Sequence, residues 1–214
     1  MFKGSIVALI TPFKNNKLDV DCYIALINHH LKSGTSAIVP AGTTGESPTL
    51  TETERLTLYS TVKKAVGDRA TIIAGTGTNN TAESIQNSVA AEKAGADAIL
   101  IHSKKQTADE IFEFSDSWGG DIPLVIVPTS YPSITLKQIQ SHKIKMVIYA
   151  NQTLRATHAS LSKILKQMIN SNSLSEVKEE ISSMEEIFKL QETYDIKTKE
   201  KELENELKKL GYIS

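Results

Sequence analysis

Six short runs of β-branched and apolar residues recur along the first 150 positions, and stretches with helical spacing separate them. The runs are SIVALIT (5–11), SAIVPA (36–41), ATIIAG (70–75), DAILIH (97–102), PLVIVP (123–128) and KMVIYA (145–150). A strand that is apolar on both faces must be covered on both faces, so this alternation predicts parallel strands flanked by helices. We therefore expect six βα units in one α/β domain.

The segments between the strands have apolar residues three and four positions apart, which predicts helices. The residues that fall at this helical spacing are Tyr23, Leu26, Ile27, His30, Leu31, Leu56, Tyr59, Val62, Ile85, Val89, Ala90, Ile111 and Phe114. Thr51 and Glu54 form a capping-box pattern, and Thr81 with Ser84 forms a weaker cap.

After residue 150 the strand patterns stop and charge-rich helical patterns follow. These are LRATHASLSKILKQMI, EVKEEISSMEEIFKLQ and KEKELENELKKLG. In the last of them, Leu203, Leu207 and Leu210 form a narrow apolar stripe, which we expect to dock on the chain's own barrel or on a partner.

Composition narrows the classes of partner. The chain has 214 residues, 40% of them hydrophobic, which is enough for one sizeable core. Its 24 Lys and Arg against 25 Asp and Glu leave a net charge of -1, which gives no long-range field for nucleic acid or anionic lipid. No apolar run reaches the ~18 residues of a membrane span, and no signal peptide is evident, so a cytoplasmic location is expected. The single cysteine, Cys22, is predicted to be a buried structural thiol.

Reactive groups in parallel α/β folds gather at the carboxyl ends of the strands. The second strand ends in the loop Gly42, Thr43, Thr44, Gly45 and Glu46, just before a predicted helix. Glycines allow a tight turn, and hydroxyls beside amides at a helix N-terminus suit a carboxylate or a phosphate. An ordinary capped turn is the alternative interpretation.

The third strand ends in GTGTNNT, residues 75–81. A dinucleotide fingerprint needs a third glycine at the proper spacing, so this segment predicts a turn with close backbone approach instead. No HExxH pattern occurs, and the adjacent His29 and His30 point apart on a helix. We expect no cofactor and no metal from these patterns.

Three segments together make a family resemblance specific: GSIVALITPF, GTSAIVPAGTTGESPTLTETER and IIAGTGTNNTAESI. Over about residues 2–101 the chain resembles dihydrodipicolinate synthase and N-acetylneuraminate lyase, pyruvate-dependent aldolases built as (βα)₈ barrels. The resemblance implies that the hydroxyl and amide of Thr44 hold the carboxylate of pyruvate, next to Gly45. It also implies that Thr43 relays a proton through a tyrosine. The family's Schiff-base lysine motif is absent from this sequence.

From about residue 95 to 192 the chain resembles phosphoenolpyruvate mutase of the isocitrate lyase superfamily instead. The segments that carry this likeness are GADAILIHSKKQTADEIFEFSDSW, PLVIVPTSY, MVIYANQTLRATHASL and VKEEISSMEEIFKLQ. The resemblance implies that His102 contacts a substrate phosphoryl group. The mutase's metal-binding aspartates lie in the part that this chain lacks, so Mg²⁺ is expected only if mutase-like chemistry operates.

The two likenesses meet in the shared segment AGADAILI, which favours a fusion of two half barrels. We therefore expect a TIM-barrel-derived parallel (βα) barrel with six recognisable units: a first half over 1–101, a second over 102–173, and C-terminal helices over 174–214. An unclosed barrel exposes strand edges, so a homo-oligomer is expected.

Three functions follow as alternatives. The first is a pyruvate-type lyase, impaired because its lysine motif is missing, with Lys104 and Lys105 as the candidate imine-forming amines. The second is a phosphoenolpyruvate mutase-like isomerase without its metal site, and the third is a non-catalytic scaffold. In each case the expected partner is an α-keto acid or a phosphoryl-bearing three-carbon acid. Tyr131 and Tyr149 are the available phenols, and Tyr149 is expected to pack in the core.

Overall fold

A computed structural model describes residues 2–171 and 173–212 of the chain. Its main feature is a parallel six-stranded sheet with the order β1-β4-β5-β6-β7-β8, and a two-stranded antiparallel hairpin, β2–β3, lies outside it. The strands are β1 (Ile6–Ala8), β2 (Phe13–Lys14), β3 (Lys17–Leu18), β4 (Ala37–Val39), β5 (Thr71–Gly75), β6 (Ala98–Ile101), β7 (Leu124–Ile126) and β8 (Ile144–Val147).

Helices follow the sheet strands in the alternation that the sequence predicts. They are α1 (Val20–Lys32), α2 (Glu52–Val66), α3 (Thr81–Lys93), α4 (Asp109–Ser117), α5 (Leu136–Ser141), α6 (Gln152–Asn170), α7 (Met184–Leu190) and α8 (Thr193–Lys209), with 3₁₀ segments at Ser47–Thr49 and Leu174–Glu180. Neighbours in the sheet are also neighbours in sequence, apart from the inserted hairpin, as in a (βα) barrel. The prediction of a TIM-barrel-like fold with six parallel strands and extra C-terminal helices is confirmed.

The central strands β4 to β7 are buried on both faces because their side chains alternate between two apolar clusters. In β6, Ile99 and Ile101 join the larger cluster, which includes the helices, whereas Ala98 and Leu100 belong to the smaller cluster on the other face. This alternation has the period of two that a pleated strand imposes. Edge strands β1 and β8 are not paired with each other among the described residues, so the sheet is open.

The chain divides into two compact units, residues 1–151 and 152–214. The first holds the sheet and α1–α5. The second holds α6, the 3₁₀ segment that contacts it, and α7 with α8. The predicted division at residues 101 and 173 stays a prediction. None of the helices in the described ranges is both long and apolar enough to cross a bilayer.

The predicted N-terminal cap of α2 is present, and the cap of α3 lies one residue earlier than predicted. Thr51 and Glu54 form the reciprocal capping box of α2. The cap of α3 was predicted one residue too late: the Asn80 side chain, not Thr81, accepts from the Glu83 amide. The amide oxygen of asparagine satisfies an orphan N–H at that position as well as a hydroxyl would.

Several predicted positions differ in the structure. Cys22 is exposed, not buried, because it lies in the first turn of α1 on the side opposite the buried Tyr23 and Ile27. Tyr149 was expected in the core but is 67% exposed, since β8 ends two residues before it. The segment 176–191 is not one helix, because the 3₁₀ segment ends at Glu180 and Ser183 caps a separate α7.

The β2–β3 hairpin was not predicted. Asn15 and Asn16 form its two-residue turn, with φ values of 51° and 58°. Asparagine tolerates this left-handed region better than most residues, and two consecutive residues there give the turn that joins antiparallel strands. The two consecutive asparagines were the feature of the sequence that could have predicted this turn.

Candidate functional site

The loop after β4 is held between two residues in the left-handed backbone region. Ala41, which is buried, has φ 51°, and Glu46 has φ 59°. Neither residue is a glycine, so each conformation costs roughly 1 kcal/mol and persists only because the surroundings impose it. Backbone strain of this kind, on both sides of a strand-end loop, marks it as a candidate site.

Hydrogen bonds fix the loop from inside and from β1. The Thr11 hydroxyl donates to the Gly45 carbonyl at 2.7 Å. The amides of Gly45 and Ser47 both donate to the Gly42 carbonyl, at 3.0 and 3.2 Å. A Cβ at Gly45 would lie 2.9 Å from the Leu9 carbonyl oxygen, so this glycine allows the loop to pack against the end of β1.

Thr43 and Thr44 are the exposed part of this otherwise fixed loop. Within the described residues, neither their amides nor their hydroxyls donate a hydrogen bond to another protein group. Two adjacent residues thus present unused N–H and O–H donors on a constrained backbone. Such a group of donors is suited to a small carboxylate or phosphate.

The helix expected directly after this loop is a short 3₁₀ turn instead. Ser47–Thr49 follows Glu46, and α2 begins only at Glu52. The predicted contribution of a helix N-terminus to anion binding at Thr43 and Thr44 was therefore wrong. Pro48 and the left-handed Glu46 stop the loop from continuing straight into α2.

A buried arginine anchors this 3₁₀ turn from α2. Arg55 is 5% exposed, and its guanidinium donates to the Ser47 hydroxyl at 2.9 Å and to the Ser47 carbonyl at 3.1 Å. Arg55 was not among the residues predicted from the sequence. The only sequence feature that could have indicated it was an arginine within a helix whose pattern otherwise predicts one apolar face.

The end of β5 passes directly beneath the loop. A Cβ at Gly75 would lie 2.4 Å from the Ala41 carbonyl oxygen and 2.7 Å from the Gly42 Cα. The buried Tyr59 hydroxyl donates to the Gly75 carbonyl at 2.7 Å. Burial raises the pKa of the Tyr59 phenol to about 12, against the opposing effect of the Arg55 charge. The predicted close backbone approach in this segment is confirmed.

His102 lies at the end of β6 with an exposed ring. Its Nδ1 is 3.0 Å from the Val127 carbonyl oxygen, and a carbonyl can only accept, so Nδ1 carries the proton and Nε2 is left as an acceptor. The ring of Tyr131, from the loop after β7, lies 6.4 Å from it. Burial raises the pKa of the Tyr131 phenol well above its usual value.

A small cavity of about 30 Å³ lies beside His102, between the ends of β5 and β6 and the start of α4. Its lining includes Gly77, Thr78, Ser84, Ser103 and Glu110. This volume holds a water molecule or two. It is too small to enclose a three-carbon acid, so a ligand of that size would bind outside it, on the open rim.

Lys104 and Lys105 are both exposed on the loop after β6. The Lys105 ammonium lies 3.9 Å from the Glu110 carboxylate, and its side chain is 68% exposed. Glu110 also accepts a 2.5 Å hydrogen bond from the Ser103 hydroxyl. A solvated lysine beside a carboxylate lacks the buried setting that an imine-forming lysine needs.

The predicted site residues therefore lie on strand ends of one sheet but not in one cluster. Thr43, Thr44 and Gly45 share the loop after β4, whereas His102, Lys104 and Lys105 follow β6, with β5 between these strands. Among the described residues, Thr43 has no hydrogen bond to a tyrosine.

The donor set does not fit a divalent metal. Across residues 2–171 and 173–212, no group of three or more His, Cys, Asp or Glu side chains is placed to hold an ion. Mg²⁺ is bound through carboxylate oxygens and water, so the Mg²⁺ expected for mutase-like chemistry has no ligand set in this part of the chain.

The open (βα) sheet and its strand-end loop define a barrel-type protein with a candidate anion site. The model of the dihydrodipicolinate synthetase family matches residues 1–103. A 4-hydroxy-tetrahydrodipicolinate synthase of Pelagibacter ubique (strain HTCC1062) is 48% identical over 133 residues, which are 59% of this chain and 45% of that protein. The chain spans about half the length of the curated relatives it matches.

Solved structures extend the likeness in two directions. A dihydrodipicolinate synthase crystal structure aligns with TM-score 0.64 and 36% identity, covering 72% of this chain and 58% of that one. A phosphonopyruvate hydrolase aligns with TM-score 0.79 and 29% identity, covering 90% and 70%. The match to the synthases continues past residue 103, farther than the boundary near residue 101 that the sequence motifs indicate.

Proposed function

We propose that the chain binds a small α-keto carboxylate of the pyruvate type at Thr43 and Thr44, as a barrel of the dihydrodipicolinate synthase type. The observation that carries this proposal is the fixed loop with unused donors between the strained Ala41 and Glu46. The family match over residues 1–103 includes the whole loop.

Carboxylate binding is tested with pyruvate and the Thr44→Val variant. Valine keeps the shape of threonine but removes the hydroxyl, and a hydrogen bond to a charged group is worth enough to weaken binding by roughly tenfold or more. Calorimetric titration of wild type and variant with pyruvate measures this change. Thr53→Val, on the exposed surface of α2, is the matched control and should leave the affinity unchanged. Equal pyruvate affinity in wild type and Thr44→Val would refute the assignment.

We further propose that aldol chemistry through an imine is impaired in this chain. Lys104 and Lys105 are solvated, and no lysine occupies the family's Schiff-base motif. Incubation with pyruvate and borohydride, followed by mass spectrometry, should therefore give no covalent adduct on either residue. An adduct that disappears in Lys104→Arg or Lys105→Arg would restore a lyase role and identify the amine.

A second candidate function follows from the phosphonopyruvate hydrolase alignment. His102 presents Nε2 at the rim, and that alignment covers 90% of the chain. In this alternative His102 contacts a phosphoryl group, for which the ring would have to bind a second proton and donate from Nε2. Titration with phosphonopyruvate, with and without Mg²⁺, separates the two candidates, because His102→Asn should weaken phosphonopyruvate binding and spare pyruvate binding.

We also propose that the chain combines a synthase-like first half with a mutase-like second half that share β6. The family model ends at residue 103, two residues after β6, which supports this division, although individual synthases align farther along the chain. In this proposal neither half supplies a complete catalytic set, so ligand binding persists without turnover. Turnover of either pyruvate-derived or phosphonopyruvate substrates above background would contradict it.

A further inference from the structure

Helix α8 presents an apolar stripe that is largely exposed among the residues the structure describes. Ile196, Leu203 and Leu210 are 50%, 56% and 69% exposed, and Leu207 between them is half-buried. These positions and Glu200 are separated by alternating steps of four and three residues, the spacing of a helix that packs along a single seam. We call Ile196, Glu200, Leu203, Leu207 and Leu210 the α8 seam.

The side-chain hydrogen bond and the ring contact that join α7 to α8 both involve Tyr194. The Tyr194 hydroxyl donates to Glu185 at 2.8 Å, and the rings of Phe188 and Tyr194 are 6.2 Å apart. Tyr194 lies at the first turn of α8, beside the seam rather than in it. The known contacts with α7 therefore involve Tyr194, while Ile196, Leu203 and Leu210 stay at least half exposed.

The charges that flank the seam change sign along the helix. Lys197 and Lys199 flank its first half, and Glu204 and Glu206 flank its second half. All four side chains belong to exposed residues, and the Glu204 carboxylate contacts Lys208 on its own helix at 3.0 Å. When the direction of one helix is reversed, the basic flank of each copy lies along the acidic flank of the other over the whole length of the seam.

We propose that α8 pairs with α8 of a second copy of this chain in antiparallel orientation. Opposing Ile196 to Leu207 of the other copy sets the register, and Glu200 then lies opposite Leu203. In the same register Lys197 lies beside Glu204 of the other copy, and Lys199 lies beside Glu206. Each dimer thus gains four interchain ion pairs around an apolar seam.

A parallel pair fits the same residues less well. It would place Glu200 at the same height as its own copy inside the seam, and this like-charge contact is unfavourable. In the antiparallel pair Glu200 meets a leucine and can extend its carboxylate to solvent. Two 17-residue helices overlap along roughly 25 Å, so the interface is small and the dimer reversible.

Sedimentation equilibrium of the full chain over a concentration series tests the pairing. Lys197→Glu with Lys199→Glu should raise the dimer dissociation constant by roughly tenfold, because four attractive pairs become repulsive. The matched control adds Glu204→Lys and Glu206→Lys in the same chain. It keeps the net charge of the wild type, restores every interchain pair, and should return the dissociation constant to within about threefold of the wild type.

Orientation is tested by disulfide formation in a Cys22→Ser background, which removes the exposed native thiol. Ile196→Cys chains mixed with Leu207→Cys chains should form the mixed disulfide, as the antiparallel register requires. Accumulation of the Ile196→Cys homodimer disulfide instead would show a parallel pair and overturn the proposal.

Two further results would refute self-pairing. One is a dimer that persists unchanged in Leu203→Ala with Leu207→Ala, which would place the interface elsewhere. The other is a concentration-independent monomer whose melting temperature falls strongly in the same variant, which would show that the chain covers the seam itself. We expect instead loss of the dimer with little change in monomer stability, since alanine is a good helix former and these side chains are largely exposed.

Discussion

Replacing Gly75 with alanine should lower the free energy of unfolding by about 3 kcal/mol or more and abolish the carboxylate binding proposed at Thr43 and Thr44. The added Cβ would lie 2.4 Å from the Ala41 carbonyl oxygen, and the atoms it meets are backbone atoms that no rotamer change can move aside. The end of β5 and the loop after β4 would have to separate. Chemical denaturation followed by fluorescence of the buried Trp118 measures the loss.

Two other glycines give a graded control series. At Gly77 the added Cβ would approach the His102 amide nitrogen to 3.2 Å, which predicts an intermediate loss. At Gly119 it would meet nothing within 4 Å, so the stability of Gly119→Ala should stay within about 0.5 kcal/mol of the wild type. If all three variants unfold at the same denaturant concentration, the close packing of Gly75 against Ala41 and Gly42 is not what stabilises the loop after β4.

Strand positions could be predicted because both faces of each strand are apolar. In β7, Leu124 and Ile126 join one cluster while Val125 joins the other, so the run reads as continuous hydrophobicity in the sequence. Such a run has few alternatives to a strand covered on both sides. The six strands and their parallel order followed from this signal alone.

Helix faces were predicted less well because buried positions on α2 and α3 are partly polar. Leu56 and Val89 fall at the helical spacing of the apolar residues but are 38% and 37% exposed. Ser88 is buried instead, and its hydroxyl donates to the Thr76 hydroxyl at 2.8 Å. A serine on the buried face gives no apolar periodicity, since its burial depends on a hydrogen-bond partner from another element.

The candidate site shows the same division between local and distant signals. The Gly42–Glu46 loop could be found because its glycines and threonines are contiguous. The hydrogen bonds by which Arg55 and Tyr59 hold this region could not be predicted, because they depend on where α2 packs relative to Ser47 and Gly75. Likewise, the proton position on His102 depends on the Val127 carbonyl of the neighbouring strand.

Alkaline pH should unfold this protein steeply, because three phenols are buried in the first unit. Tyr23, Tyr59 and Tyr131 are at most 2% exposed, and burial raises the pKa of each phenol, that of Tyr59 to about 12. An unfolded phenol ionises near pH 10. Between about pH 10 and 12 the unfolded chain therefore holds fewer protons than the folded chain, and the free energy of unfolding falls as pH rises.

When all three phenols ionise only in the unfolded chain, the free energy of unfolding falls by about 4 kcal/mol per pH unit. This change is large against a total stability of about 5–15 kcal/mol. Tyrosinate absorbance and circular dichroism should therefore change together over this interval, with the buried phenols ionising as the fold is lost. Tyr131→Phe removes one of the three protons and should reduce the slope by about a third. A free energy of unfolding that stays constant from pH 9 to about 11.5 would show that these phenols ionise equally well in the folded state. Because Tyr59 holds the Gly75 carbonyl beneath the loop after β4, its ionisation would also release the end of β5 from α2.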